Sequence, residues 1–258
     1  MEFGLNLYSI RNLIQTEEEF LNVALKLKQM GYSYMQFSGS PLKCDAIKRV
    51  VDSSGMPIYL THTSMDRIVN DTNRLMEEHA IFGCKNIGLG MMPFELLSDE
   101  KKCRQTIEQL NQVAFKMSEQ GFKFFYHHHH YEFFKHSDKT VFDIMIEDAP
   151  YINFIADTYW LQFGGVDVCD FLKRLNGRID CVHLKDYKIA YHKKDQVPTE
   201  MRPDFAPLGE GSLDFKKIVN LMQTLGVKYY FVEQDNAALM PDGLNEVAKS
   251  AKYIKENL

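Results

Sequence analysis

The amino-acid sequence predicts an α/β chain folded as one (β/α)8 barrel, and three observations carry that expectation. Glycines at 31, 55, 83, 121, 177 and 226 each follow an amphipathic stretch and precede a β-rich one, where a helix closes in a left-handed turn and a strand begins. Their intervals of 24, 28, 38, 56 and 49 residues describe a repeating βα unit, the interval of 56 holding two units with Pro150 as the intervening stop. Eight strand-like segments alternate with eight helical ones, and eight is the number of repeats that closes a parallel sheet with right-handed crossovers. The length of 258 residues suits a single-domain TIM barrel spanning 1–258. An open doubly wound sheet is the competing architecture. It calls for a glycine-rich phosphate loop after the first strand, where this chain has Tyr8, Ser9, Ile10 and Arg11.

The elements follow in order. Residues 3–8 read as the first strand, and Thr16 with Glu19 forms a capping box opening a helix whose Phe20, Ala24 and Leu27 share one face. Strands are expected at 32–37, 57–62, 86–89, 122–127, 152–157, 179–185 and 228–233. Helices are expected near 43–54, 66–82, 99–119, 139–148, 167–175, 213–225 and 242–257. The stretch 186–212 shows no helical period and is expected to be a long loop near the site.

Composition narrows the function classes. With 45% hydrophobic and 25% charged residues the chain has the makings of a sizeable core. A net charge of −5 without a basic cluster argues against a nucleic-acid partner. No apolar run reaches the roughly 20 residues of a membrane span, and the first residues do not resemble a signal peptide, so a cytoplasmic location is expected. Five scattered cysteines without a CxxC pair indicate neither a disulfide framework nor a zinc knuckle.

In a barrel, the carboxyl ends of the strands line one mouth. Here they carry His62, the run His127 to His130 followed by Glu132, Asp157, His183 with Lys185, and Glu233 with Asp235. One such carboxylate could be a helix cap; ionisable groups ending four neighbouring strands need a shared counter-charge. A divalent cation supplies it, Mn2+ by preference, with Mg2+, Co2+ or Zn2+ also suited to carboxylates plus imidazole. The expected ligands are Glu132, Asp157, His183 and Glu233, with His129 the alternative to Glu132. Strand alternation turns His127 and His129 to one face, so one of these two is expected to touch substrate, while His128 and His130 pack or lie at the surface. Lys185, two residues past His183 and on the same face, is expected to hold a substrate oxygen, and Trp160 is a sugar-stacking or packing residue. His79, His136 and His192 read as ordinary helix or loop histidines.

Together these segments resemble the sugar phosphate isomerase/epimerase family, the xylose isomerase-like barrels that also include inosose dehydratase and endonuclease IV. GLNLYSIR at 4–11 resembles the family's GLQLYSLR, with Asn6 for glutamine. YHHHHYEF at 126–133 resembles YHNHDFEF, with His128 for asparagine and His130 for aspartate. ADTYW at 156–160, GGVD at 164–167, GR at 177–178, HLKD at 183–186, LGEGSLDF at 208–215 and VEQD at 232–235 keep the family's order. The resemblance implies one metal held by Glu132, Asp157, His183 and Glu233, with His62 and Lys185 reaching the substrate.

A carbonyl sugar chelating such a metal has an acidified α-proton, through an enediolate that the metal stabilises. Glu132 and Glu233 on opposite sides would then give epimerisation or isomerisation, and loss of a β-hydroxyl from the same intermediate would give a dehydratase of the inosose dehydratase type. The expected substrate is a sugar, keto-sugar or cyclitol, unphosphorylated because no glycine loop is available to grip phosphate. A DNA-repair nuclease is disfavoured by Trp160, where that branch carries histidine. A catalytically silent sugar-binding barrel is the other rival, and a homo-oligomer is compatible with the sequence.

Overall fold

The computed structural model describes residues 1–194 and 197–258. Eight parallel strands close into a barrel: β1 (Gly4–Asn6), β2 (Tyr34–Phe37), β3 (Ile58–Thr63), β4 (Asn86–Leu89), β5 (Lys123–His127), β6 (Asn153–Asp157), β7 (Cys181–Leu184) and β8 (Tyr229–Val232). Each pairs with its sequence neighbour in the barrel, and β1 pairs with β8 to close it. The six glycines expected to end helices all have positive φ, and Gly31 and Gly55 directly cap α1 (Glu17–Met30) and α2 (Cys44–Ser54). The Thr16 capping box is complete, with both reciprocal hydrogen bonds formed.

The structure alters several expected boundaries. The first strand ends at Asn6, and Leu7–Leu13 winds into 3-10 turns because the Asn6 side chain accepts the Tyr8 N–H. The helix expected over 66–82 is two, α3 (Met65–Asn70) and α4 (Thr72–Ile81), broken where Asp71 leaves helical geometry. A short α5 (Phe94–Ser98) precedes α6 (Glu100–Glu119). Beyond β5 come α7 (Val141–Asp148), α8 (Thr158–Phe163), α9 (Val168–Arg174), α10 (Phe215–Thr224) and α11 (Gly243–Asn257).

The long loop expected at 186–212 is instead mostly an antiparallel ribbon, Asp186–Lys194 paired with Val197–Ala206; residues 195–196 lie outside the described residues. Its base is held by the Asp186 carboxylate, which accepts backbone N–H groups from Gly209, Gly211, Ser212 and Leu213 at 3.0–3.2 Å.

Inside the barrel, Tyr34, Leu60, Phe125, Ile155, Cys181 and Phe231 form a separate apolar cluster. Because inward-facing residues recur every second position along a strand, the next inward residues are Gln36, His62, His127, Asp157, His183 and Glu233. One apolar layer therefore supports one polar layer at the mouth. The remaining strands contribute Asn6 to the polar layer and the small Gly88 and Gly90, where a Cβ would press to 3.1 Å from the His62 ring.

Candidate functional site

His127, Asp157, His183 and Glu233 converge at the mouth, all buried, with one ligand-type atom from each lying within 4.8 Å of the others. They come from β5, β6, β7 and the residue just past β8. His183 Nδ1 is 2.8 Å from Glu233 Oε2 and 3.8 Å from Asp157 Oδ2, and His127 Nε2 is 3.4 Å from the same Asp157 oxygen.

Each group is fixed from behind. The Asn6 amide donates to Glu233 Oε1 at 2.6 Å. Asp157 divides its work: Oδ1 accepts the Trp160 N–H and caps α8, while Oδ2 faces the cluster. His128, fully buried against Phe142, accepts the Asp157 backbone N–H through Nε2.

The imidazole orientations decide what the cluster suits. His183 Nε2 lies 2.7 Å from Gln36 Oε1 and His127 Nδ1 lies 3.1 Å from the Gly90 carbonyl oxygen. Oxygens of these kinds only accept, so both outer nitrogens carry hydrogen, and each ring in its neutral form turns a lone pair inward, toward carboxylate oxygens. Lone pairs facing carboxylates repel unless a cation lies between them. Imidazoles anchored through their outer N–H to an oxygen are the usual support of metal-ligating histidines. The donor set of two imidazoles and two carboxylates fits a divalent ion. Without one, a proton is the substitute: burial pushes the His183 imidazolium down, but Glu233 and Asp157 outweigh it and lift the ring to about 9.

Lys185 enters the same layer, its Nζ 3.2 Å from Glu233, 3.6 Å from Asp157 and 3.0 Å from Asp235. Burial opposes its charge, yet the three carboxylates hold it protonated. Trp160 and Phe205 present their rings 5.1 and 5.0 Å from this ammonium. Trp160 also stacks against His130 and packs on His129, so it stands behind the lysine and histidine.

The structure does not bring Glu132 into the cluster, contrary to the expectation that it ligates and exchanges protons beside Glu233. It sits in a 3-10 turn (Tyr131–Phe133) five residues past the last inward position of β5. There Oε1 accepts the Tyr126 O–H and Oε2 accepts the His129 N–H, each at 2.7 Å. Burial raises its pKa, only partly offset by these bonds. His127, expected as a substrate contact, occupies the place in the cluster; His129, the other alternative, packs edge-on against His127.

A cavity of about 530 Å3 opens over the cluster, lined on one side by His62, His127, His129, Lys185, Glu233 and Asp235. Among the described residues, His62 Nε2, His129 Nδ1 and Asp235 Oδ1 have no hydrogen-bond partner there. Burial, then the neighbouring His127 and His183, keep His62 neutral. A second cavity of about 600 Å3 lies against α2 and α4, and its Arg67, Arg74, Asp71 and Glu78 are spent on one another. Asn6 and Gln36 are site residues not singled out from the sequence as functional. The alternation rule, applied as two residues past each inward apolar residue, points to Gln36 and to His127.

Comparison with known proteins agrees with this architecture. The chain is 29% identical over 169 residues to an inosose dehydratase of Clostridium perfringens, a match covering 61% of this chain and 56% of that protein. The chain thus spans about half the length of the curated relatives it matches. Among solved structures, a sugar phosphate isomerase/epimerase from Parabacteroides distasonis superposes with a TM-score of 0.78 at 23% identity, covering 99% of this chain and 98% of that one. D-allulose 3-epimerase from Methylomonas sp., solved with D-allulose, superposes at 0.68 with 10% identity, covering 100% and 97%. The model of the xylose isomerase-like TIM barrel family matches residues 24–257, and the chain belongs to that family.

Proposed function

We propose that this protein is a divalent-metal-dependent isomerase or epimerase that moves a proton beside the carbonyl of a sugar, keto-sugar or cyclitol. One observation carries the proposal: two imidazole lone pairs, fixed by outward hydrogen bonds, face two buried carboxylates at the base of an open cavity. His127, Asp157, His183 and Glu233 would hold the ion. When bound, it supplies Lewis acidity to a carbonyl substrate, lowering the pKa of the neighbouring C–H.

The chain's own groups do the rest. Glu233, oriented by Asn6, is the base that takes the proton. The Lys185 ammonium donates a hydrogen bond to the oxygen where negative charge develops. His62 Nε2, His129 Nδ1 and Asp235 Oδ1 are unpaired polar atoms placed for substrate hydroxyls. Glu132 acts on position only, holding the backbone of His129.

The likeness to inosose dehydratase favours a second outcome of the same proton removal, loss of a β-hydroxyl, which would make the protein a lyase. Metal analysis of purified protein, with deuterium incorporation from D2O across ketoses, keto-sugars and inososes, tests both. One bound divalent ion and stereospecific exchange, lost in Glu233→Gln, is the expected result, and release of water would identify the lyase. A metallated protein that exchanges with no panel member overturns the proposal.

A further inference from the structure

Of the opening segment GLNLYSIR, Asn6 serves the site while Ser9 and Arg11 have no part in the proposed chemistry. Both meet the other end of the chain. The ladder between β1 and β8 stops at the pair Leu5 and Val232, where β1 gives way to the 3-10 turn Leu7–Leu13. On the opposite edge of β8 the ladder stops one residue later, with the Glu233 N–H donating to the Leu184 carbonyl. Gln234 and Asp235 thus leave the barrel with no strand partner among the described residues, although Glu233 and Asp235 both line the cavity.

Side chains of the turn take over, in order. Asn6 donates to Glu233 Oε1 at 2.6 Å, Ser9 Oγ accepts the Gln234 N–H at 3.0 Å, and Arg11 Nη1 donates to the Asp235 carbonyl at 3.1 Å. Ser9 and Gln234 are buried, so the hydroxyl satisfies an N–H that water does not reach. Arg11 Nη1 also donates to the Tyr8 carbonyl at 2.8 Å, and its guanidinium lies 4.2 Å from the centre of the Tyr8 ring, which lines the same cavity.

We propose that Ser9 and Arg11 are positioning residues that fix the backbone at 234 and 235. Through it they direct the Glu233 carboxylate toward the ion and the Asp235 carboxylate toward Lys185. The proposal rests on the metal-site reading given above. With 234 and 235 released, Glu233 would sample orientations away from His183, now 2.8 Å distant, and binding the ion would have to order it again.

The competing account is that these bonds only brace the fold. Gln15 separates the two, because its side-chain amide donates to the Arg11 and Gly39 carbonyls and braces the same turn without touching 233–235.

Titration of the full-chain apoprotein with Mn2+, alongside far-UV circular dichroism, tests the proposal. Arg11→Met keeps the aliphatic stem and removes the donors. It and Ser9→Ala are each expected to weaken Mn2+ binding at least about fivefold with the spectrum unchanged. Gln15→Ala is expected to bind Mn2+ within about twofold of the wild type while unfolding at a lower temperature. Arg11 is only half-buried, so Arg11→Met decides the matter if Ser9→Ala fails to fold. An Arg11→Met variant that binds Mn2+ as tightly as the wild type overturns the positioning role and leaves the metal site standing. A Gln15→Ala variant that weakens binding equally does the same. A wild type that takes up no Mn2+ overturns the metal-site reading, and the positioning role with it.

Discussion

At the scale of single residues, His127 and Glu132 separate two accounts of the site. Both are buried and both follow β5, but His127 has an imidazole nitrogen directed at Asp157 while both oxygens of Glu132 are occupied by Tyr126 and His129. His127→Ala should therefore lower metal affinity by at least about a hundredfold, since a ligand is lost outright, whereas Glu132→Gln should retain the ion. Metal-to-protein ratios after equilibrium dialysis check this, and the reverse pattern would return the ligand role to Glu132. Gln36→Leu removes the acceptor that orients His183 and should weaken metal binding about 10–100-fold, as outer-shell changes do. Titration of the apoprotein with Mn2+ measures it.

At the scale of elements, two ties join helices to the barrel wall. Arg178 donates to the carbonyls of Ile146, Ala149 and Ile152 and stacks over Phe154, satisfying the carboxyl end of α7 and the entry to β6. Arg178→Leu leaves these acceptors unpaired and should cost about 3 kcal/mol in urea unfolding. His79 links α4 to β3: Nδ1–H donates to the Leu75 carbonyl, and Nε2 accepts the Thr61 hydroxyl. Burial lowers its pKa to about 4, below the ordinary 6.5 of the unfolded chain. Its contribution is therefore complete above pH 6.5 and is lost as pH falls through 4, a span of about 3 kcal/mol. Replacing His79 with Gln should flatten stability against pH across that window; an unchanged slope in denaturation midpoints between pH 7 and 4 would contradict the assignment.

At the scale of the whole molecule, the ion would bind groups from four consecutive strands, so it stabilises the closed barrel rather than a local loop. Binding only the folded state at a hundredfold excess over its dissociation constant contributes about 2.7 kcal/mol. Removal by a chelator should accordingly lower Tm by roughly 5–10 °C for a chain of this size, and added Mn2+ should restore it. Differential scanning calorimetry before and after chelation reads this directly.

The barrel was legible in the sequence because its signals are local: helix-stopping glycines, a capping box at Thr16, and apolar strand segments at a repeating interval. The same local order marked Asp157, His183 and Glu233, each at a strand's carboxyl end and two residues beyond an inward apolar partner. Only tertiary structure placed His127, and not Glu132, in the cluster with Asp157, His183 and Glu233. Strand alternation extends to His127 and stops there; the following turn sends Glu132 back against Tyr126, and no spacing rule predicts where a 3-10 turn points. Gln36 and Asn6 were hidden for a related reason, since their partners lie 147 and 227 residues away. The ribbon at 186–206 lacked a helical signal, and its strand pairing is a contact between segments that no local pattern in the sequence marks. Local propensity determined the elements of this protein, while closure of the barrel, which brings distant strand ends within a few ångströms, determined the site.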